Sequence, residues 1–133
     1  MQAKTFDKMI KVSSKISTLN KFLPGSAVRK YNKLTVQTLC SLNKALEKLY
    51  VKLRYFSDEE ILNNQLNLLL SEIDTATIIF NKDRSITEKI NEKVFCNNLT
   101  KCIFLLISVQ ESLDWFTSPE NYRLFVGKEE VLL

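Results

Sequence analysis

Histidine is absent from this 133-residue chain, and glycine and proline occur only twice each. Each shortage excludes something. Without histidine there is no Ser-His or Cys-His catalytic pair, no metalloprotease helix and no ordinary zinc site. Two glycines cannot furnish a Gly-rich phosphate loop. An all-β sandwich needs turn residues about every 8–12 positions, and this chain lacks them. Long apolar runs are missing too. The longest, Cys102 to Val109 with Ser108 inside it, is far short of the about 20 residues that span a bilayer. Lysines at positions 4, 8, 11 and 15 leave no apolar signal-peptide core near the start. The three cysteines, Cys40, Cys96 and Cys102, are odd in number and form no Cys-x-x-Cys pair. They read as reduced, buried apolar residues of a cytoplasmic protein.

What is present is apolar and periodic. Hydrophobic residues make up 45% of the chain and charged residues 26%, and the length suits one domain with a core of its own. Three breaks punctuate the chain: Pro24-Gly25-Ser26, Ser57 with Glu60, and Ser85 with Glu88. The last two have capping-box spacing. They divide four helices, expected over Thr5–Lys21, Ala27–Tyr55, Asp58–Phe80 and Ile86–Phe116. In the second, Leu39, Leu42, Leu46, Leu49 and Leu53 step by threes and fours. Leu62, Leu66, Leu69, Ile73, Ala76 and Phe80 do so in the third, and Phe95, Leu99, Cys102, Leu106, Val109, Leu113 and Phe116 in the fourth. One apolar seam per helix predicts an all-α, antiparallel four-helix bundle with short loops over residues 1–116. A C-terminal tail over 117–133, broken by Pro119 and Gly127, follows it. The fourth helix is apolar nearly all round, with Ile103, Phe104, Leu105 and Ile107 beside its seam. This surplus predicts an oligomer interface, with Phe104 and Leu105 its foremost contacts.

Catalysis has no candidates. Glu72 and Asp74 point in different directions on a helix, and Glu88 and Glu92 sit among lysines. Neither pair has metal-ligand partners, and no base is present to activate Ser or Cys. The expectation is a protein that is not an enzyme, with no cofactor, no metal and no small-molecule substrate. A helical toxin or RNase is the weakest reading for the same reason. The triplet Asn98-Leu99-Thr100 falls in a helical pattern and reads as a chance glycosylation match.

Charge is distributed unevenly. Residues 1–54 hold 12 Lys and Arg against two acids, whereas residues 55–133 hold 7 against 13. The net charge of +4 conceals this. Lys4, Lys8, Lys11 and Lys15 share one face of the first helix. Lys30, Lys33, Lys44, Lys48 and Lys52 share a stripe on the second, and Lys21 and Arg29 flank the turn between them. If the two helices form an antiparallel hairpin, these residues make one basic surface that attracts polyanions by counterion release. Lys predominates over Arg, which favours backbone contact over base reading. A solvated face and docking to an acidic protein are the alternatives. Tyr31, Tyr50, Tyr55 and Phe56 are candidates for stacking on bases, although such rings more often belong to a core or its rim. Opposite charge on the two halves also allows the acidic helices of one copy to meet the basic hairpin of the next.

As a whole the chain resembles the accessory variability determinant proteins of diversity-generating retroelements, which group with four-helix-bundle proteins encoded in rRNA intervening sequences. The resemblance rests on Lys4-Thr5-Phe6-Asp7, Asn20-Lys21-Phe22 with Pro24, Ser26 with Arg29, Leu66-Asn67-Leu68-Leu69-Leu70 and the terminal pair Trp115-Phe116. It covers about residues 4 to 116. The resemblance implies a non-enzymatic accessory that forms a basic homopentameric barrel. Its implied partners are a reverse transcriptase and structured RNA or cDNA, in support of mutagenic cDNA synthesis. The competing reading is a small helical adaptor that docks in a larger complex without binding nucleic acid.

Overall fold

Asp58 stands at the head of the third long helix. Its side-chain Oδ1 accepts the backbone N–H groups of Glu60 at 2.9 Å and Ile61 at 3.3 Å, so it caps a helix whose first four amides have no intrahelical partner. The expected capping residue, Ser57, lies outside the described residues. The computed structural model describes residues 1–23, 33–55, 58–82 and 92–127. Within them the elements are α1 (Ala3–Asn20), α2 (Lys33–Arg54), α3 (Glu59–Lys82), α4 (Glu92–Phe116), the one-turn helix α5 (Pro119–Tyr122) and a π-helical turn (Arg123–Gly127). The expected starts of the second and fourth helices, and the Pro24-Gly25-Ser26 and Ser85 breaks, fall outside the described set.

The seams read from the spacing are the core. Every residue of the three seams named above is buried, and α1 adds Phe6, Met9, Val12, Ile16 and Leu19. Each buried Leu, Ile, Val, Met or Phe among them contributes about 1.5–3 kcal/mol of transfer free energy. No strand occurs among the described residues, and the fold is an all-α helical bundle.

Successive helices alternate in direction, but they are not neighbours in the expected order. α1 packs against α3 and α4, and α2 also packs against α3 and α4. The ring order is therefore α1, α3, α2, α4, with α1 and α2 on one diagonal. Specific contacts set the directions. Thr5 touches Glu59 and Asn63, and Lys15 pairs with Asp74, so α1 and α3 run parallel. The Ser13 hydroxyl donates to Asp114 at 2.6 Å, and the Gln110 amide donates to the Ser17 hydroxyl at 2.7 Å, so α1 and α4 run antiparallel. Cys40 meets Asn98 and Glu47 meets Lys101, so α2 and α4 run parallel. The hairpin of α1 with α2 expected from the short Pro-Gly turn does not exist. Both apolar seams are satisfied by α3 and α4 instead.

The segment after Thr117 is not a free appendage over its described length. Tyr122 packs edge-on against Phe6, with ring centroids 5.4 Å apart, and Phe125 lies 6.3 Å from Phe6 and 5.9 Å from Phe116. The Met1 ammonium donates to the Phe125 carbonyl at 3.2 Å. Aromatic rings that would otherwise face water close this end of the bundle.

The start of α1 is held by α3. Gln2 makes no side-chain cap. The Glu59 carboxylate accepts instead from the Gln2 amide and the Thr5 hydroxyl, both at 2.7 Å. Partial burial acts to raise the Glu59 pKa. The two hydrogen bonds, with the nearby ammonium of Met1 and Lys4, outweigh it and hold the carboxyl below its ordinary value.

Candidate nucleic-acid interface

The basic residues divide between two separate surfaces. On α1, Lys4, Lys8, Lys11 and Lys15 follow one flank, and that flank faces α3. Lys15 is ion-paired with Asp74. Lys4 and Lys8 line a polar recess together with Glu59, Glu60, Asn63 and Asn67. Acids of the second half of the chain therefore sit beside this stripe within one molecule. Exposed pairs of this kind are worth about 0–1 kcal/mol each, yet they cancel the local field that a polyanion would feel. Lys21 is exposed at the end of α1.

The α2 stripe differs. Lys44 and Lys48 are exposed and Lys52 is half-buried. The ion pairs among the described residues leave all three without a carboxylate partner. The one acid on α2, Glu47, turns toward α4 and pairs with Lys101 at 2.5 Å. At about 1.5 Å per residue, Lys44 to Lys52 spans about 12 Å of an outward face. Arg29 and Lys30 lie outside the described residues, as do Tyr31 and Phe56. Lys33 opens α2, but its side chain is not among those described. The single basic surface expected from a hairpin is therefore corrected to two: a neutralised stripe on α1 and an acid-free stripe on α2. The reason is the diagonal placement of the two helices.

The surplus on α4 also separates. Phe104 is 66% exposed, Ile107 51% and Ile103 41%. Leu105 is only 6% exposed and belongs to the core. Placing Leu105 at an oligomer interface is therefore corrected. It projects to the same side as Cys102 and Val109, so the bundle itself covers it. The exposed set is Ile103, Phe104 and Ile107.

Between the parallel α2 and α4 runs a groove of about 380 Å³, lined by Tyr50, Leu53, Ser108, Glu111, Trp115 and others. Trp115 is 57% exposed and held edge-to-face against Phe116, with centroids 5.0 Å apart. Arg54 donates to the Tyr50 hydroxyl at 3.0 Å. Sequence reasoning named Tyr50 and passed over Trp115 as a site residue. No period distinguishes an exposed indole next to a seam residue from a core ring.

The three thiols are free. Cys102 is buried, and desolvation pushes its pKa up to about 12. Cys40 and Cys96 are half-buried rather than fully buried. No cluster of Cys, Asp and Glu that would hold a metal ion occurs among the described residues, and no described helix is long and apolar enough to cross a membrane.

No family model, no curated protein and no solved structure matches this chain.

Proposed function

We propose that the chain is a non-catalytic accessory bundle that binds RNA along the outward face of α2. One observation carries the reading. Among the described residues, Lys44, Lys48 and Lys52 form a row without ion-pair partners, and the one acid on α2, Glu47, pairs with Lys101 of α4 instead. A purely solvated face is normally mixed in sign. Lysine point charges suit phosphates and do not read bases. The resemblance of Lys4-Thr5-Phe6-Asp7 and Trp115-Phe116 to the accessory variability determinants adds a reverse transcriptase as protein partner and cDNA synthesis as the process served. Ile103, Phe104 and Ile107 are the proposed self-association face, on the strength of their exposure.

The test is a salt titration of RNA binding. Reversing Lys44, Lys48 and Lys52 to Glu removes three phosphate contacts. For a single strand the slope of log affinity against log salt then becomes shallower by about 2. Reversing Lys4, Lys8 and Lys11 to Glu has a smaller effect, since acids already stand beside that stripe. An α2 variant that binds RNA with unchanged affinity and slope overturns the proposal and favours the adaptor reading.

A further inference from the structure

We infer that the groove between α2 and α4 is a stacking site for an unpaired base, with Trp115 as its platform. The inference rests on the RNA-binding reading of α2 and names what part of the RNA that face would hold.

Four observations converge. First, Trp115 and Tyr50 line the same open groove, and the Phe116 contact fixes the indole while leaving 57% of Trp115 exposed. Exposed aromatic faces held rigidly beside basic residues are how single strands are bound without sequence-specific pairing. Secondly, the groove volume of about 380 Å³ admits a planar ring system and part of its sugar. Thirdly, Arg54 stands at the rim on Tyr50. It lies seven residues after Glu47, which touches α4, so it occupies the same flank of α2. It would meet the phosphate of the base that enters. Fourthly, Glu111 lines the groove, and neither ion pair of the described residues includes it. A carboxylate there repels a phosphate, so the backbone stays outside and the base goes in. It also accepts hydrogen bonds from an exocyclic amine, which cytosine carries and uracil lacks.

The α2 lysines and the groove then act in sequence along one strand. The lysines hold the backbone on the outward face, and a base turns over the α4 flank of α2 onto Trp115. A duplex keeps its bases stacked inside and cannot make this contact.

Trp115 is the only tryptophan in the chain, so its emission reports the site directly. The experiment titrates the full chain with oligocytidylate, oligouridylate and an RNA duplex of equal length. Anisotropy of a labelled strand follows binding independently. Oligocytidylate is expected to quench Trp115 saturably, the duplex not to quench it, and oligouridylate to bind more weakly. Trp115→Ala lowers single-strand affinity by about five-fold or more with the salt slope unchanged, and Trp115→Phe restores most of it. Strand binding by anisotropy with unchanged Trp115 emission, and with Trp115→Ala binding as the wild type does, overturns the stacking site and leaves the α2 proposal standing. Equal quenching by the duplex overturns it as well. Absence of any RNA binding overturns both.

Discussion

A double-mutant cycle at Phe6 and Tyr122 tests whether the segment after α4 belongs to the bundle. Phe6 is fully buried, and its ring meets Tyr122 edge-on at 5.4 Å with an interplanar angle of 77°. That geometry lies inside the range where aromatic pairs add about 0.5–1.5 kcal/mol beyond the area they bury. Tyr122 is half-buried, so the lower part of that range, about 0.5–1 kcal/mol, is expected. Phe6→Leu alone keeps most of the volume and costs about 1–1.5 kcal/mol. A domain of 133 residues is stable by about 7–20 kcal/mol, so every variant stays folded and can be measured. The assay is urea unfolding of the wild type, Phe6→Leu, Tyr122→Leu and the double variant. The coupling energy is read from the midpoints at constant slope. Limited trypsin digestion gives a second reading, because Arg123 lies in the docked turn. Cleavage there should speed up in Phe6→Leu. Additivity within about 0.3 kcal/mol, together with unchanged cleavage after Arg123, would refute the docking of this segment on α1.

Three further outcomes are expected. Glu59 has a folded-state pKa below its unfolded value, so its stabilisation is present above the ordinary carboxylate range and is lost as pH falls through the lowered value. Glu59→Gln should therefore cost about 1 kcal/mol at neutral pH, as loss of a helix cap does. The gap to the wild type should close in urea melts as pH falls, and a gap independent of pH would contradict the assignment. On α4, Phe104→Asp should lower the sedimentation coefficient without loss of stability, whereas Leu105→Ala should cost about 2–5 kcal/mol without changing the assembly state. A wild type that sediments as a monomer removes the self-association face. Asn43 is buried between α2 and α4, where its amide donates to the Asn98 carbonyl at 3.1 Å while its Oδ1 has no partner. Asn43→Leu should raise the urea midpoint and broaden the amide NMR spectrum of α2, since such residues fix register at a cost in stability.

The helices and their buried faces were legible because a bundle writes its core at one period. Leu39 to Leu53, Leu62 to Phe80 and Phe95 to Phe116 are apolar where a 3.6-residue repeat turns inward. Which helices touch was not legible. A Leu seam packs equally well on any other Leu seam, so α1 finds α3 through polar contacts such as Thr5 with Glu59, which have no periodic signature. The charge stripes were visible for the same reason as the seams. Their separation onto two surfaces depended on ring order, and so it was not. Leu105 is a different case. Three residues after Cys102 and four before Val109, it falls on the seam's own spacing and Phe104 does not, so its inward side was legible in the period, and apolarity alone had put it on the surface.

The ring order has a consequence for how the chain folds. Of the four neighbouring helix pairs, only α2 and α3 are consecutive in sequence, joined through residues 55–58. The contacts of α1 close loops of 54 residues to Glu59 and 101 residues to Asp114. Loop entropy rises with length, by about 0.6 kcal/mol per doubling, and non-local contacts slow folding. The α2–α3 hairpin, which has the shortest loop to close, is therefore expected to form first. α1 and α4 then close loops of similar length onto it, 54 residues from Thr5 to Glu59 and 58 from Cys40 to Asn98, so each docks on the hairpin independently of the other. Leu46→Ala and Leu69→Ala, in the hairpin, should slow folding, whereas Val12→Ala on α1 and Leu113→Ala on α4 should leave the folding rate nearly unchanged and speed unfolding.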